Sequence, residues 1–217
     1  MNAHRARKGA ASVGSTHALP VLPRGVIGAA VMSAARHSAR VPLRTLAEGV
    51  RVSTRKARAW ETGAAPLYCV QYRQLREIAV VLERAHARGA SLHELVRASQ
   101  CDLFLAGVLT GTEDYADLPA LETGEYAHRV RQLLRWALVG EPPKPYARWA
   151  RPRPLLPEPD VRQLFAVAAS LERGDHGTDL TSYGTALLEC FQSTKDTALG
   201  RSRLLLTVIR KRKTSMY

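Results

Sequence analysis

Apolar residues recur every three or four positions through most of the chain, the spacing of one face of an α-helix. The recurrence is dense from Arg24 to Arg88. It returns in Tyr126, Val130, Leu133, Leu134, Ala137 and Leu138, then in Val161, Leu164, Phe165, Ala168 and Leu171, and again in Leu187, Leu188 and Phe191. Ser91-Leu-His-Glu94 is a capping-box pattern ahead of Leu95 and Val96, and it predicts a helix start. The run Leu204-Leu-Leu-Thr-Val-Ile209 reads equally as a buried helix end or a strand. No internal repeat is present. The expected class is all-α.

Two stretches break the pattern. Residues 1–23 mix Ala, Gly, Ser, His and Pro without period and read as a flexible basic arm. Residues 141–159 hold seven of the twelve prolines, each of which removes a backbone donor and pushes its predecessor towards extended backbone. That segment is expected to be extended, either as a linker or as a strap across the body. Tyr146 and Trp149 favour the docked strap, because free linkers rarely carry two large aromatics.

Composition changes the picture through charge. The 217 residues carry a formal net charge of +13, with 32 Lys+Arg against 19 Asp+Glu. Residues 1–65 hold +9, the last seventeen hold +6, and everything between sums to −2. A basic head, a near-neutral body and a basic tail point to a polyanion, nucleic acid first. No apolar run is long enough to span a bilayer, and the N-terminus lacks a signal-peptide core, so a cytoplasmic protein with no membrane partner is expected. Cys69, Cys101 and Cys190 are dispersed and read as buried small apolar groups rather than as a disulfide framework or zinc cluster.

The informative stretch is Leu46-Ala-Glu-Gly-Val-Arg-Val-Ser-Thr-Arg-Lys-Ala-Arg-Ala-Trp-Glu-Thr-Gly63. Ala47 is small enough to let two helices cross closely, and Val50 and Val52 flank a tight turn. Ser53 suits the N-cap of the second helix. Ala57 and Trp60, three apart, would face inward, which leaves Thr54, Arg55, Lys56 and Arg58 outside. A helix with an exposed, cationic N-terminal half is suited to a DNA major groove.

With Leu46-Ala47, Val52, Ser53, Trp60-Glu61, Gly63 and Pro66 in register, the segment resembles the phage-repressor (XRE, Cro/repressor-type) helix-turn-helix domain. The likeness covers residues 24–98, where Leu75, Ile78, Ala79 and Leu82 look like the helix that closes such a domain. The resemblance implies a five-helix head and an ion pair between Arg36 and Glu61. It also implies that Thr54, Arg55 and Lys56 approach base edges while Ser53, Arg58 and Arg44 hold phosphates. Arg55 is the foremost base reader, since guanidinium pairs bidentately with guanine. Ala59 would face the groove. Two positions depart from the family pattern: Arg51 stands where the turn usually has Gly, and Leu43 where a phosphate-binding Gln is usual. Arg51 implies either a left-handed residue or a turn of another shape, helped by Gly49.

On the flexible arm, Arg5, Arg7 and Lys8 are candidate minor-groove or phosphate contacts. The histidines show no metal-ligand spacing, Asp175-His176 with Ser182 is not oriented as a triad, and no phosphate-binding Gly-rich loop is present. No catalysis, metal or cofactor is therefore expected. The sequence reads as a sequence-specific regulator of transcription, a dimeric repressor on double-stranded DNA with a palindromic operator. Residues 99–209 are expected to form a helical dimerisation and effector region, with the homodimer built through 101–200 and a protein or small-molecule effector bound there. Residues 210–217 form a basic tail. The alternative is an antitoxin or anti-activator module whose helix-turn-helix autoregulates its operon.

Overall fold

Eight helices and no strand are found among the residues that the computed structural model describes, namely 24–111, 124–172 and 182–195. The all-α class expected from periodicity is the one observed. The arm 1–23, the run 204–209 and the tail 210–217 lie outside the described residues.

In chain order the first five helices are α1 (Val26–Ser38), α2 (Leu43–Gly49), α3 (Thr54–Glu61), α4 (Tyr72–Arg84) and α5 (Leu92–Thr110), with a short 3-10 turn at Leu67–Cys69 before α4. The remaining three are α6 (Glu125–Val139), α7 (Glu158–Glu172) and α8 (Ser182–Lys195). Three of these helices stop in the same way. Arg40, Arg51 and His86 take left-handed backbone with φ of 56°, 58° and 56° after α1, α2 and α4. Each is followed by an amide that reaches back five residues: Val41 to Arg36, Val52 to Ala47 and Ala87 to Leu82. This bond and a second one, from the left-handed residue's own amide to the carbonyl three residues back, satisfy the last carbonyls of each helix, and the pair makes a double hydrogen bond. It holds three non-glycine residues in a conformation that costs on the order of 1 kcal/mol apiece.

The longest helix, α5, is central. Ala98, Cys101, Asp102 and Leu105 follow the spacing of one helix face and are all buried. α5 packs on α1, α4, α6 and α7 and on the 3-10 turn. One continuous core runs from Ile27 on α1 to Phe191 on α8, and the boundary expected at residue 98 falls within α5. Ser91 caps α5 by accepting the Glu94 amide, as the capping-box pattern predicts. The Glu94 carboxylate engages Arg97 at 2.5 Å and Arg129 of α6 at 3.1 Å.

Asp102 occupies a polar position in this otherwise apolar face. α1 has no side-chain cap of its own, because its N-cap is Gly25. The Asp102 carboxylate accepts the amides of Ile27 and Gly28, each at 2.8 Å, and so caps α1 from 75 residues away. Anionic acceptors are favoured at such a position by the unpaired amides and the helix dipole.

The proline-rich segment is docked, but it is not extended throughout. Tyr146 and Ala147 donate amides to the Pro143 carbonyl, and Trp149 and Ala150 donate to that of Tyr146, so 143–150 folds into consecutive turns. Fixed proline φ values suit such turns as well as extended backbone. Tyr146 is fully buried and stacks on Trp136 with ring centroids 5.6 Å apart. Its hydroxyl lies 2.9 Å from the Gly89 carbonyl and 3.1 Å from Glu94. Further along, Leu155 and Leu156 both donate their amides to Ala137.

Cys101 and Cys190 are buried as expected, whereas Cys69 is exposed. It closes a 3-10 turn at the surface, where Leu67 takes the inward position.

Candidate nucleic-acid interface

α2 and α3 are joined by four residues, Val50 to Ser53. Val50 is buried and Val52 partly buried. Between them the left-handed Arg51 reverses the chain. Gly49 does not shape this turn. A Cβ there would lie 2.7 Å from a Val81 methyl, so the glycine allows α2 to lie directly against α4.

Ser53 caps α3, its hydroxyl accepting the Lys56 amide at 3.2 Å. The helix is sharply two-sided. Ala57 and Trp60 are 0% and 1% exposed, while Thr54, Arg55, Lys56 and Arg58 all face solvent. Among the described residues no carboxylate is paired with Arg55 or Arg58. The Lys56 ammonium lies 5.4 Å from the Trp60 ring centre, so it is drawn back along its own helix. Ala59 is half-buried. Arg44, on α2, is engaged with Glu48 one turn on, at 2.8 Å between two exposed side chains. That hydrogen bond, together with the Glu48 charge, raises its already high pKa.

Arg36 and Glu61 meet. The guanidinium reaches one Glu61 oxygen through Nε at 2.8 Å and Nη2 at 2.6 Å, and donates from Nη1 to the Val41 carbonyl at 2.7 Å. Both side chains are mostly buried, so the pair ties α1 to the end of α3 in a setting only weakly screened by water. Gly63, with φ of +73°, follows and brings the chain against Gly25, whose carbonyl would lie 2.9 Å from any Cβ at 63. Arg5, Arg7 and Lys8 lie outside the described residues.

The cationic side of α3 is thus brought together as the sequence suggests. Several features gave no sign in the sequence of the partner they would meet. Asp102 is one, although an acidic residue set into an apolar helix stripe is a readable anomaly. Its burial pushes the carboxyl up from 3.8 to about 7, against the opposing pull of the Gly28 and Ile27 amides. Another is the stacking of Tyr146 on Trp136, ten residues apart in the chain and on different elements. Among the described residues no group of three or more His, Cys, Asp or Glu is placed to hold a metal, and no helix is long and apolar enough to cross a membrane. Comparison of the chain with protein-family models, curated proteins and solved structures returns no match in any of the three.

Proposed function

We propose that the chain is a sequence-specific DNA-binding regulator of transcription that docks α3 in the major groove as a phage-repressor-type helix-turn-helix. The observation that carries this reading is the two-sidedness of α3: a capped N-terminus, Arg55 and Arg58 in solvent with no carboxylate partner among the described residues, and Ala57 and Trp60 in the core. Exposed cations in the first turns of a helix, on a rigid base, are what base-edge and phosphate contacts require. The Arg36–Glu61 pair and the left-handed Arg51 support it further, because both hold α3 at a set angle to α1 and α2.

In this reading Thr54 and Arg55 read bases, joined by Lys56 once it leaves Trp60. Ser53, Arg58 and Arg44 hold phosphates, Arg44 exchanging Glu48 for the DNA backbone. Ala59 lies beside the groove, and Arg5, Arg7 and Lys8 add contacts from the arm. The protein acts as a repressor, and a two-fold dimer supplies the second half-site that so small an interface needs. Among the described residues of 101–200 no large hydrophobic side chain is exposed, so packing adds no support to a dimer formed there.

Selection of bound sequences from random duplex DNA tests the proposal. Enrichment of one motif, repeated with two-fold symmetry, is expected. Binding without enrichment, and with a steep salt dependence alone, would mark a non-specific polyanion binder and overturn it.

A further inference from the structure

The arginines outside the helix-turn-helix fall into two groups. On α5, α6 and α7 each one meets a carboxylate: Arg97 and Arg129 meet Glu94, Arg131 meets Glu189, Arg135 meets Glu141 and Arg162 meets Glu158. A corner of the molecule is different. Where α1 ends, the α4–α5 connection crosses and the strap docks, Arg40, Arg88 and Arg148 are exposed and pair with no carboxylate among the described residues. The Arg88 amide donates to the Ser38 hydroxyl at 2.9 Å, which seats that connection on the last residue of α1, two positions before Arg40. The Arg88 guanidinium lies 5.9 Å from the Trp149 ring centre, and that of Arg148 lies at the same distance. Trp149 is tied down in turn, since its amide donates to the carbonyl of the fully buried Tyr146. An indole attracts a guanidinium but, unlike a carboxylate, leaves its net charge intact. Like charges gathered on one anchored ring raise the local potential, and a shared polyanion relieves it.

We propose that this corner is a second DNA contact, in which Arg40, Arg88 and Arg148 hold the sugar-phosphate backbone of the duplex just beyond the half-site read by α3. The inference rests on the DNA-binding reading and adds to it a surface that the helix-turn-helix does not contain. Its place follows from Arg40, which stands three positions before the start of α2. Arg44, in the first turn of α2, is the side chain assigned above to a phosphate. The corner therefore continues the phosphate-holding edge of the head from the end of α2 remote from the turn to α3. A single small anion would leave part of this spread of cations unmatched, whereas the closely spaced charges of one DNA strand match all of it. Held beforehand by Trp149 and the turns of the strap, Arg88 and Arg148 lose little freedom on binding. Backbone contacts carry no base information, so the contact is indifferent to the sequence of the flank.

The test uses the full chain and the motif enriched from random duplex DNA. One duplex ends at the motif, and a second is extended on each side by one helical turn, about ten base pairs, of arbitrary sequence. In fluorescence anisotropy the unaltered protein should bind the extended duplex at least about fivefold more tightly, whatever the flank sequence. The Arg88→Ala/Arg148→Ala double variant should bind the short duplex as the unaltered protein does, which also shows that it is folded. It should gain little from the extension, and its salt slope on the long duplex should be lower by about two. Arg40 is left in place, since its left-handed backbone shapes the end of α1. An Arg131→Ala/Arg162→Ala variant removes the same formal charge from the body and should keep the full gain. The contact is overturned, and the regulator reading kept, by any of three results: no gain from the extension in the unaltered protein, an equal gain in the Arg88/Arg148 variant, or an equal loss in the Arg131/Arg162 variant. A chain that enriches no motif overturns the regulator reading and this contact together.

Discussion

Arg55 and Arg58 hold their charges in solvent on the first two turns of α3, and their expected roles differ. Replacing Arg55 by Ala removes a candidate bidentate guanine contact. The expected cost is about 1–3 kcal/mol at the selected site, with relaxed preference at one base pair. Replacing Arg58 by Ala should weaken all sequences alike and lower the salt slope by about one. Repeating the site selection and the salt titration on both variants separates these outcomes. An unchanged preference in Arg55→Ala removes Arg55 from the base-reading set. Asp102 makes a prediction of a different kind. Its carboxyl sits at about 7 in the folded chain against 3.8 as its ordinary value, chiefly through burial. Between those values the folded chain holds a proton that the unfolded chain has released. The stability this provides is complete below the lower value, falls as pH rises, and is lost above the upper one. Asp102→Asn keeps the shape and one acceptor but does not titrate. Urea unfolding of both proteins at either end of this window should show the wild type losing ground to the variant as pH rises. A constant difference between them would sink the assignment.

At the scale of elements, the α2–turn–α3 unit was legible because its causes are local. Ser53 caps the helix that follows it, and Ala57 and Trp60 are three apart on one face of it. Arg51 was expected either to take left-handed backbone or to give the turn another shape, and the structure shows the first. Gly49, read from sequence as a helper of the turn, has its reason across the domain in Val81. Gly49→Ala should therefore destabilise by about 1–3 kcal/mol, because the stiff, branched Val81 cannot swing aside. Adding Val81→Ala should recover most of that loss, a coupling read from thermal melts of the two single variants and the double variant. Strictly additive losses would show that the two side chains do not meet. The strap shows the same division. Its docking was legible from two aromatics among prolines, but its turns were not, because they depend on where Trp136, Gly89 and Glu94 stand.

For the whole molecule, the shared core predicts that head and body unfold together. A chain ending at Ala98 loses Cys101, Phe104 and Leu105 from the core, and with Asp102 the cap on α1. It should be at least about 3 kcal/mol less stable than the full chain, given the usual cost of emptying such positions. The full chain should show one transition, coincident by circular dichroism and tryptophan fluorescence. A fragment as stable as the whole would overturn this. Periodicity alone established the helices, and local chemistry established the cap of α3, its buried and exposed sides and the basic character of the exposed one. Those properties depend on residues within a turn or two of each other. Folding in three dimensions settled the cap on α1 from α5, the fit of Gly49 beneath Val81, and the gathering of Arg88 with Arg148 around Trp149. Each of these joins residues tens of positions apart, and the spacing of side chains along one helix holds no record of which helix will lie against it.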